Sequence, residues 1–173
     1  MVRIDGSQIV IKGAIVSKTF NSSELRQALG SFATGITVVT TLGTGRQPVG
    51  ITVNSFNSVS LEPPLVLWSL DRHTNCFDDF VQAPSFAVHI LASDQQALSE
   101  RFATVGTDRF ADIQYSTGLS GIPILPHYSA CFQCTMEHQY EGGDHIILVG
   151  RVTEFTDNQL PPLLYYRGQY KTL

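Results

Sequence analysis

The stretch Pro48-Val49-Gly50-Ile51-Thr52-Val53-Asn54-Ser55 alternates with the period of a β-strand, and this pattern constrains the chain more than any other. Val49, Ile51 and Val53 share one face and can enter a core. Gly50, Thr52 and Asn54 share the other, which offers a bare backbone at Gly50 and hydrogen-bonding groups at Thr52 and Asn54. A strand divided in this way is either an edge with one wet face or the lining of a site for a flat, polar-edged ligand.

Other segments repeat the β signal. Ile36 to Thr41, Val49 to Val53, Leu65 to Leu70, Phe86 to Leu91, Cys131 to Glu137 and His145 to Phe155 are rich in Val, Ile, Thr or aromatics and bounded by turn formers. That number of strands suits a barrel. Leu65-Val66-Leu67-Trp68 and Ile146-Ile147-Leu148-Val149 are apolar on both faces, which predicts cover from two sides and a homodimer. Three short helices interrupt the strands. Asn21 can cap the first, with Glu24 in capping-box spacing, Phe20 stapled to Leu25 and Gly30 as its end. Thr74 to Phe80 and Ser93 to Phe102 are the other two, the latter with Ser93-x-x-Gln96 as a capping box and Ala97, Leu98 and Phe102 on one face. Strands and helices do not alternate as in a doubly wound sheet, and there is no G-x-G-x-x-G or P-loop motif. Gly43-Thr44-Gly45 reads as a hairpin turn.

Composition narrows the function. A length of 173 residues, 43% hydrophobic content and 15% charged residues predict one globular domain over 20–173 preceded by an N-terminal arm at 1–19. With a net charge of −4 and no basic cluster, neither nucleic acid nor an anionic membrane surface is an expected partner; a small molecule is. Nothing reads as a signal peptide or a bilayer span, and three cysteines do not form a disulfide framework, so the expected compartment is the cytoplasm. Cys131-x-x-Cys134 lies in a strand, where residues three apart face opposite ways, so it predicts buried thiols rather than a zinc or redox pair. His73, His89, His127 and His138 lack metal-ligand spacing, no metal is expected, and no G-x-S-x-G elbow supports hydrolase chemistry.

Five blocks, in order, carry a family resemblance: Phe32 to Thr40, Pro48 to Phe56, Ser60 to Val66, Gly142-Gly143-Asp144-His145, and Leu163 to Gly168. Together they resemble the short-chain flavin reductase family from about Phe20 to Tyr170. The resemblance implies a mainly β, Greek-key split barrel of the FMN-binding type with a few short peripheral helices. It also implies a homodimer and NADH- or NADPH-dependent reduction of FMN or FAD.

By the same resemblance, Pro48, Val49, Gly50, Ile51, Thr52, Asn54 and Ser55 lie along the isoalloxazine. Ser69, Leu70, Asp71, Asn75 and Cys76 surround the ribityl-phosphate arm, and Arg101 and Phe102 make a further flavin contact. Gly143, Asp144 and His145 fall on the nicotinamide side, with His145 the expected catalytic residue acting by placement. Tyr165, Tyr166, Arg167 and Gly168 match a second nicotinamide-nucleotide segment. Without the family, Gly-Gly-Asp-His is a turn entering a strand, Arg101 is a solvated helix charge, and the tyrosines pack an edge. The implied acceptor of the reduced flavin is a partner monooxygenase or a Co(II) corrinoid, the latter as in the family's corrin reductase of adenosylcobalamin biosynthesis. A non-catalytic flavin- or haem-binding split barrel is the alternative from another class.

Overall fold

The computed structural model describes residues 21–173, together with the backbone of two short paired strands, β1 (Ile9–Ile11) and β2 (Ala14–Val16). The expected staple from Phe20 lies outside the described residues, as does most of the arm at 1–19. Helix α1 (Ser22–Leu29) starts where its cap predicts: Asn21 Oδ1 accepts the Ser23 N–H at 2.9 Å, and Gly30 ends the helix.

The remaining elements follow as β3 (Thr34–Gly35), β4 (Thr37–Leu42), β5 (Pro48–Val53), β6 (Asn57–Leu61), β7 (Pro64–Asp71), α2 (Phe77–Gln82), β8 (Ser85–Ile90) and α3 (Gln96–Ala103). After them come β9 (Ser116–Thr117), β10 (Pro123–Ile124), β11 (Ala130–Gly142), β12 (His145–Asp157), β13 (Leu164–Tyr166) and β14 (Gln169–Lys171). Seven strands form one antiparallel sheet in the order β5-β4-β8-β11-β12-β7-β6, and β14-β13-β3 form a smaller one. The hairpins β4-β5, β6-β7 and β11-β12 are joined out of sequence order by β8, which lies between β4 and β11. This is the mainly β, Greek-key plan that the sequence predicts, with the helices at its periphery.

Burial divides the interior of the described residues into three apolar clusters. Successive residues of β4 enter opposite sides: Val39 joins a cluster with Trp68, Phe80, Phe86 and Leu148, whereas Val38 joins one with Ile36, Leu91, Phe102 and Leu163. Trp68 meets Phe80 and Phe86 edge-on at centroid separations of 5.0 and 5.9 Å. Cys131 and Cys134 sit in different clusters, all three cysteines are free and buried, and burial pushes the Cys131 and Cys134 thiols up to about 12.

Several expectations need correction. Thr74 to Cys76 form a turn, in which Thr74 N–H donates to Asp71 O and Phe77 N–H to Thr74 O, both at 3.2 Å, so α2 starts at Phe77. The start of α3 is organised by Gln95 instead of a Ser93–Gln96 box: the Gln95 side chain accepts from Ala92 N–H at 2.8 Å and donates to His127 O at 2.6 Å. The helix therefore buries Ser99 and Phe102 and exposes Ala97. Double cover of β7 and β12 is incomplete within one chain, because Val66, Trp68, Leu70, Ile146 and Leu148 are buried while Leu65, Leu67 and Ile147 are half-buried. Among the described residues, no helix is long and apolar enough to cross a membrane.

Candidate functional site

Strand β5 is an edge strand of the large sheet, paired among the described residues only with β4, through Thr37↔Val53 to Leu42↔Pro48. Its other edge is left to loops and ligands. A cleft lies at each end. The first, about 560 Å³, gathers Pro48, Val49 and Gly50 with Asn75 and Cys76, and adds Asp79 and the loop segment Thr107 to Phe110. The second, about 350 Å³, gathers Asn54, Tyr165 and Gly168 with Phe32 and Thr34; next to it a recess of about 400 Å³ holds Arg26, Gly30, Arg167 and Gly168. Both lie in the size range of small-molecule sites.

The two faces of β5 divide as the alternation predicts, but the Gly50 and Thr52 side is covered by the protein itself. Gly50 and Thr52 turn towards α3: Thr52 Oγ1 donates to Ser99 O at 2.6 Å, and a Cβ on Gly50 would lie 2.5 Å from Phe102 Cε1. The absent side chain at Gly50 thus admits a core ring, not a ligand ring. Val49, Ile51 and Val53 pack against the first core but stay half-buried. The alternation was visible in the sequence; that α3 would cover the polar face was not, because α3 is some 45 residues away in the chain.

Four further expected flavin residues are committed elsewhere. The Phe102 and Leu70 side chains are enclosed in the interior, so neither side chain is open to a ligand. The Arg101 guanidinium donates to the Ala111 carbonyl, so it holds a loop in place. Ser55 Oγ both donates to Ser69 O and accepts from Ser69 N–H at 2.9 Å, tying the end of β5 to β7. Sequence reasoning missed Arg109, whose Nη1 donates to Gly50 O at 2.7 Å and whose Nε donates to Thr104 O at 3.1 Å. It also missed Thr34, whose buried Oγ1 has no hydrogen-bond partner among the described residues.

The expected nicotinamide residues occupy two places on two sheets. Gly143 and Asp144 form the two-residue turn of the β11-β12 hairpin, with Gly142 opposite His145. Gly143 has φ +77°, as a II′ turn requires at its first central position. His145 stands across from Asp71 at the end of β7. Its Nδ1 lies 2.8 Å from Asp144 Oδ1, and His73 Nδ1 lies 3.0 Å from Asp71 Oδ1. The His73 backbone N–H and ring hold the Asp71 carboxyl below the ordinary carboxylate range, and the His145 ring does the same for Asp144. The strand ends therefore present two ionised carboxylates and two half- to fully exposed imidazoles.

Arg167 and Gly168 form the β13-β14 turn, both with positive φ as in a I′ turn. Arg167 donates to Ser31 Oγ at 2.9 Å and to Tyr166 Oη at 3.2 Å, while Tyr165 meets Tyr170 edge-on at 5.4 Å.

A family model described as flavin reductase like domain matches residues 29–173. The reductase component of a flavin-dependent trigonelline monooxygenase from Acinetobacter baylyi is 44% identical over 149 residues, covering 86% of this chain and 48% of the relative. The chain thus spans about half the length of that relative. It spans 85% of the FMN reductase (NADH) SmoA of Agrobacterium fabrum, which is 42% identical over 150 residues, 87% of this chain. Among solved structures, the Streptomyces globisporus NADH:FAD oxidoreductase SgcE6, in complex with NAD and FAD fragments, superposes with a TM-score of 0.82. Its sequence identity is 35%, with 87% of this chain and 92% of that one covered.

Proposed function

This chain belongs to the flavin reductase like domain family, and on that premise we propose that it transfers a hydride from NADH or NADPH to FMN or FAD. The observation that carries this reading is the free edge of β5 with a cleft at each end. From Pro48 to Asn54 the strand runs about 20 Å, long enough to lie along an extended flavin nucleotide. The second cleft, lined by Asn54, Thr34 and Tyr165 together with Phe32, offers both polar groups and an aromatic wall to a flat ligand with polar ring edges.

The bound isoalloxazine supplies the electron-accepting chemistry. The protein supplies position and field. With Nδ1 of His145 donating to Asp144, Nε2 is left as an acceptor that fixes the carboxamide end of the nicotinamide. Loss of hydride turns the nicotinamide into a cation. The ionised Asp71 and Asp144 beside His145 favour that charge as it develops. On the other segment, the exposed Tyr166 ring and the Arg167 guanidinium suit stacking and a pyrophosphate.

Reduced flavin then passes to a partner monooxygenase, a reading supported by the relative that is itself a monooxygenase reductase component. The half-buried outward face at Leu65, Leu67 and Ile147 supports a homodimer. Anaerobic mixing with each nicotinamide nucleotide and each flavin tests the central claim: the flavin absorbance is expected to bleach, and no bleaching in any combination refutes it. Adding a Co(II) corrinoid to the same mixture tests the other acceptor; Co(I) appearing faster than with free reduced flavin alone would replace the monooxygenase reading.

A further inference from the structure

The loop after α3 forms one wall of the first cleft, although its residues 104–108 are exposed and Val105 is 74% exposed, so apolar burial does not hold it there. Two guanidinium groups do. Arg101 donates to Ala111 O, and Arg109 bridges Thr104 O, at the foot of the loop, to Gly50 O on β5. Phe110 completes the wall, edge-on to Phe102 at 5.1 Å.

The charge of Arg109 is not neutralised by this arrangement. Both acceptors are neutral carbonyls, and among the described residues Arg109 makes no ion pair. The acidic groups in the cleft are engaged with backbone amides: Asp108 Oδ1 accepts from Phe110 N–H at 3.0 Å and Asp79 Oδ1 from Thr44 N–H at 3.2 Å. Arg109 is the sole cation among the described residues lining this cleft, and its Nη2 is used in none of these bonds. Without it, the lining would carry Asp79 and Asp108 alone and would repel an anion.

We propose that Arg109 holds the phosphate-bearing arm of the flavin nucleotide: its Nε and Nη1 fix the guanidinium against two carbonyls, and its Nη2 remains for a phosphate oxygen. This rests on the flavin reading above and assigns to Arg109, which lines the cleft, the anion contact expected of Arg101, which is not among its lining residues. A guanidinium anchored in this way loses little freedom on binding, which makes it an effective anion site.

Discrimination between FMN and riboflavin, which differ by the phosphate alone, provides the test. Dissociation constants for both are measured by fluorescence for the wild type, Arg109→Met and Arg109→Lys. Arg109→Met is expected to weaken FMN about tenfold or more while changing riboflavin much less, so that the wild-type preference collapses. Arg109→Lys, which keeps the charge and loses the fork, is expected to give an intermediate ratio. A merely structural role would weaken both ligands equally, and an unchanged FMN/riboflavin ratio overturns the proposal. Weakening of NADH with FMN unaffected overturns it as well, because the cleft would then hold the reductant. Wild-type protein that binds neither flavin refutes the functional reading instead, so the two failures are distinguishable. If Arg109→Met does not fold, Arg109→Lys carries the measurement.

Discussion

Lowering the pH from 7 to 4 should destabilise this protein through His89. The ring is wholly buried between β4, the 125–128 segment and Tyr128, whose ring centroid is 5.7 Å away. Its Nδ1 lies 3.1 Å from Val38 O, which can only accept, and its Nε2 lies 3.1 Å from Leu125 N–H, which can only donate. The neutral tautomer with the proton on Nδ1 is therefore the one that satisfies both. Protonation would break the Leu125 bond and bury a charge. Burial, opposed in part by the Val38 bond, lowers the pKa from 6.5 to about 4.

Because the folded value lies below the unfolded one, the unfolded chain takes up the proton first. The contribution is complete above pH 6.5, falls as the pH drops towards 4 and is constant below that. At 1.36 kcal/mol per unit the full loss is about 3 kcal/mol, of which about 2 kcal/mol has gone by pH 5. Asp71, Glu137 and Asp144, whose values are lowered by hydrogen bonds, begin to give up their contributions only as the pH falls through their ordinary values of 3.8 to 4.5, so the upper part of the window, from pH 6.5 to 5, belongs to His89. Urea unfolding of wild type and His89→Asn at pH 7, 6, 5 and 4.5 measures the effect. The variant is expected to be less stable at pH 7 and to have a shallower pH dependence; parallel curves for the two proteins would refute the reasoning.

His145→Ala should slow nicotinamide oxidation while leaving flavin affinity nearly intact, and Asp144→Asn should do the same to a smaller degree; a large loss of flavin binding in either would place these residues on the wrong ligand. Gly50→Ala should lower stability by about 1–3 kcal/mol, because the new methyl meets the enclosed Phe102 ring at 2.5 Å; an unchanged urea midpoint would show that the ring yields. Cys131 and Cys134, with pKa values near 12, should resist a thiol reagent at pH 8 until the chain unfolds, and prompt native labelling of either would contradict their burial.

Local pattern was legible wherever a residue's partner is near in sequence. Asn21 caps its helix because the amide it serves is two residues on, and Cys131 and Cys134 part to opposite sides because strand geometry separates residues three apart. The six expected strands reappear with shifted ends. The β6 strand, Asn57–Leu61, was not recognised: it is short, and its only apolar residues, Val59 and Leu61, are exposed, so no core face marks it. The candidate site was legible as segments and not as an arrangement. Pro48 to Gly50 and Asn75 to Cys76 do line one cleft, but only packing reveals that α3 covers the Gly50 and Thr52 side or that Arg101 is occupied by Ala111.

The sequence by itself determined the strand-rich plan, the faces that enter the cores and the family, since these follow from periodicity, capping and blocks of short-range pattern. The tertiary structure alone decided which surfaces remained open to a ligand and which guanidinium lines the first cleft. Those properties depend on groups far apart in the chain, such as Gly50 with Phe102 and Arg109, or Asn54 with Tyr165. Periodicity assigns a side chain to a face of its own element, and the fold then determines what that face meets.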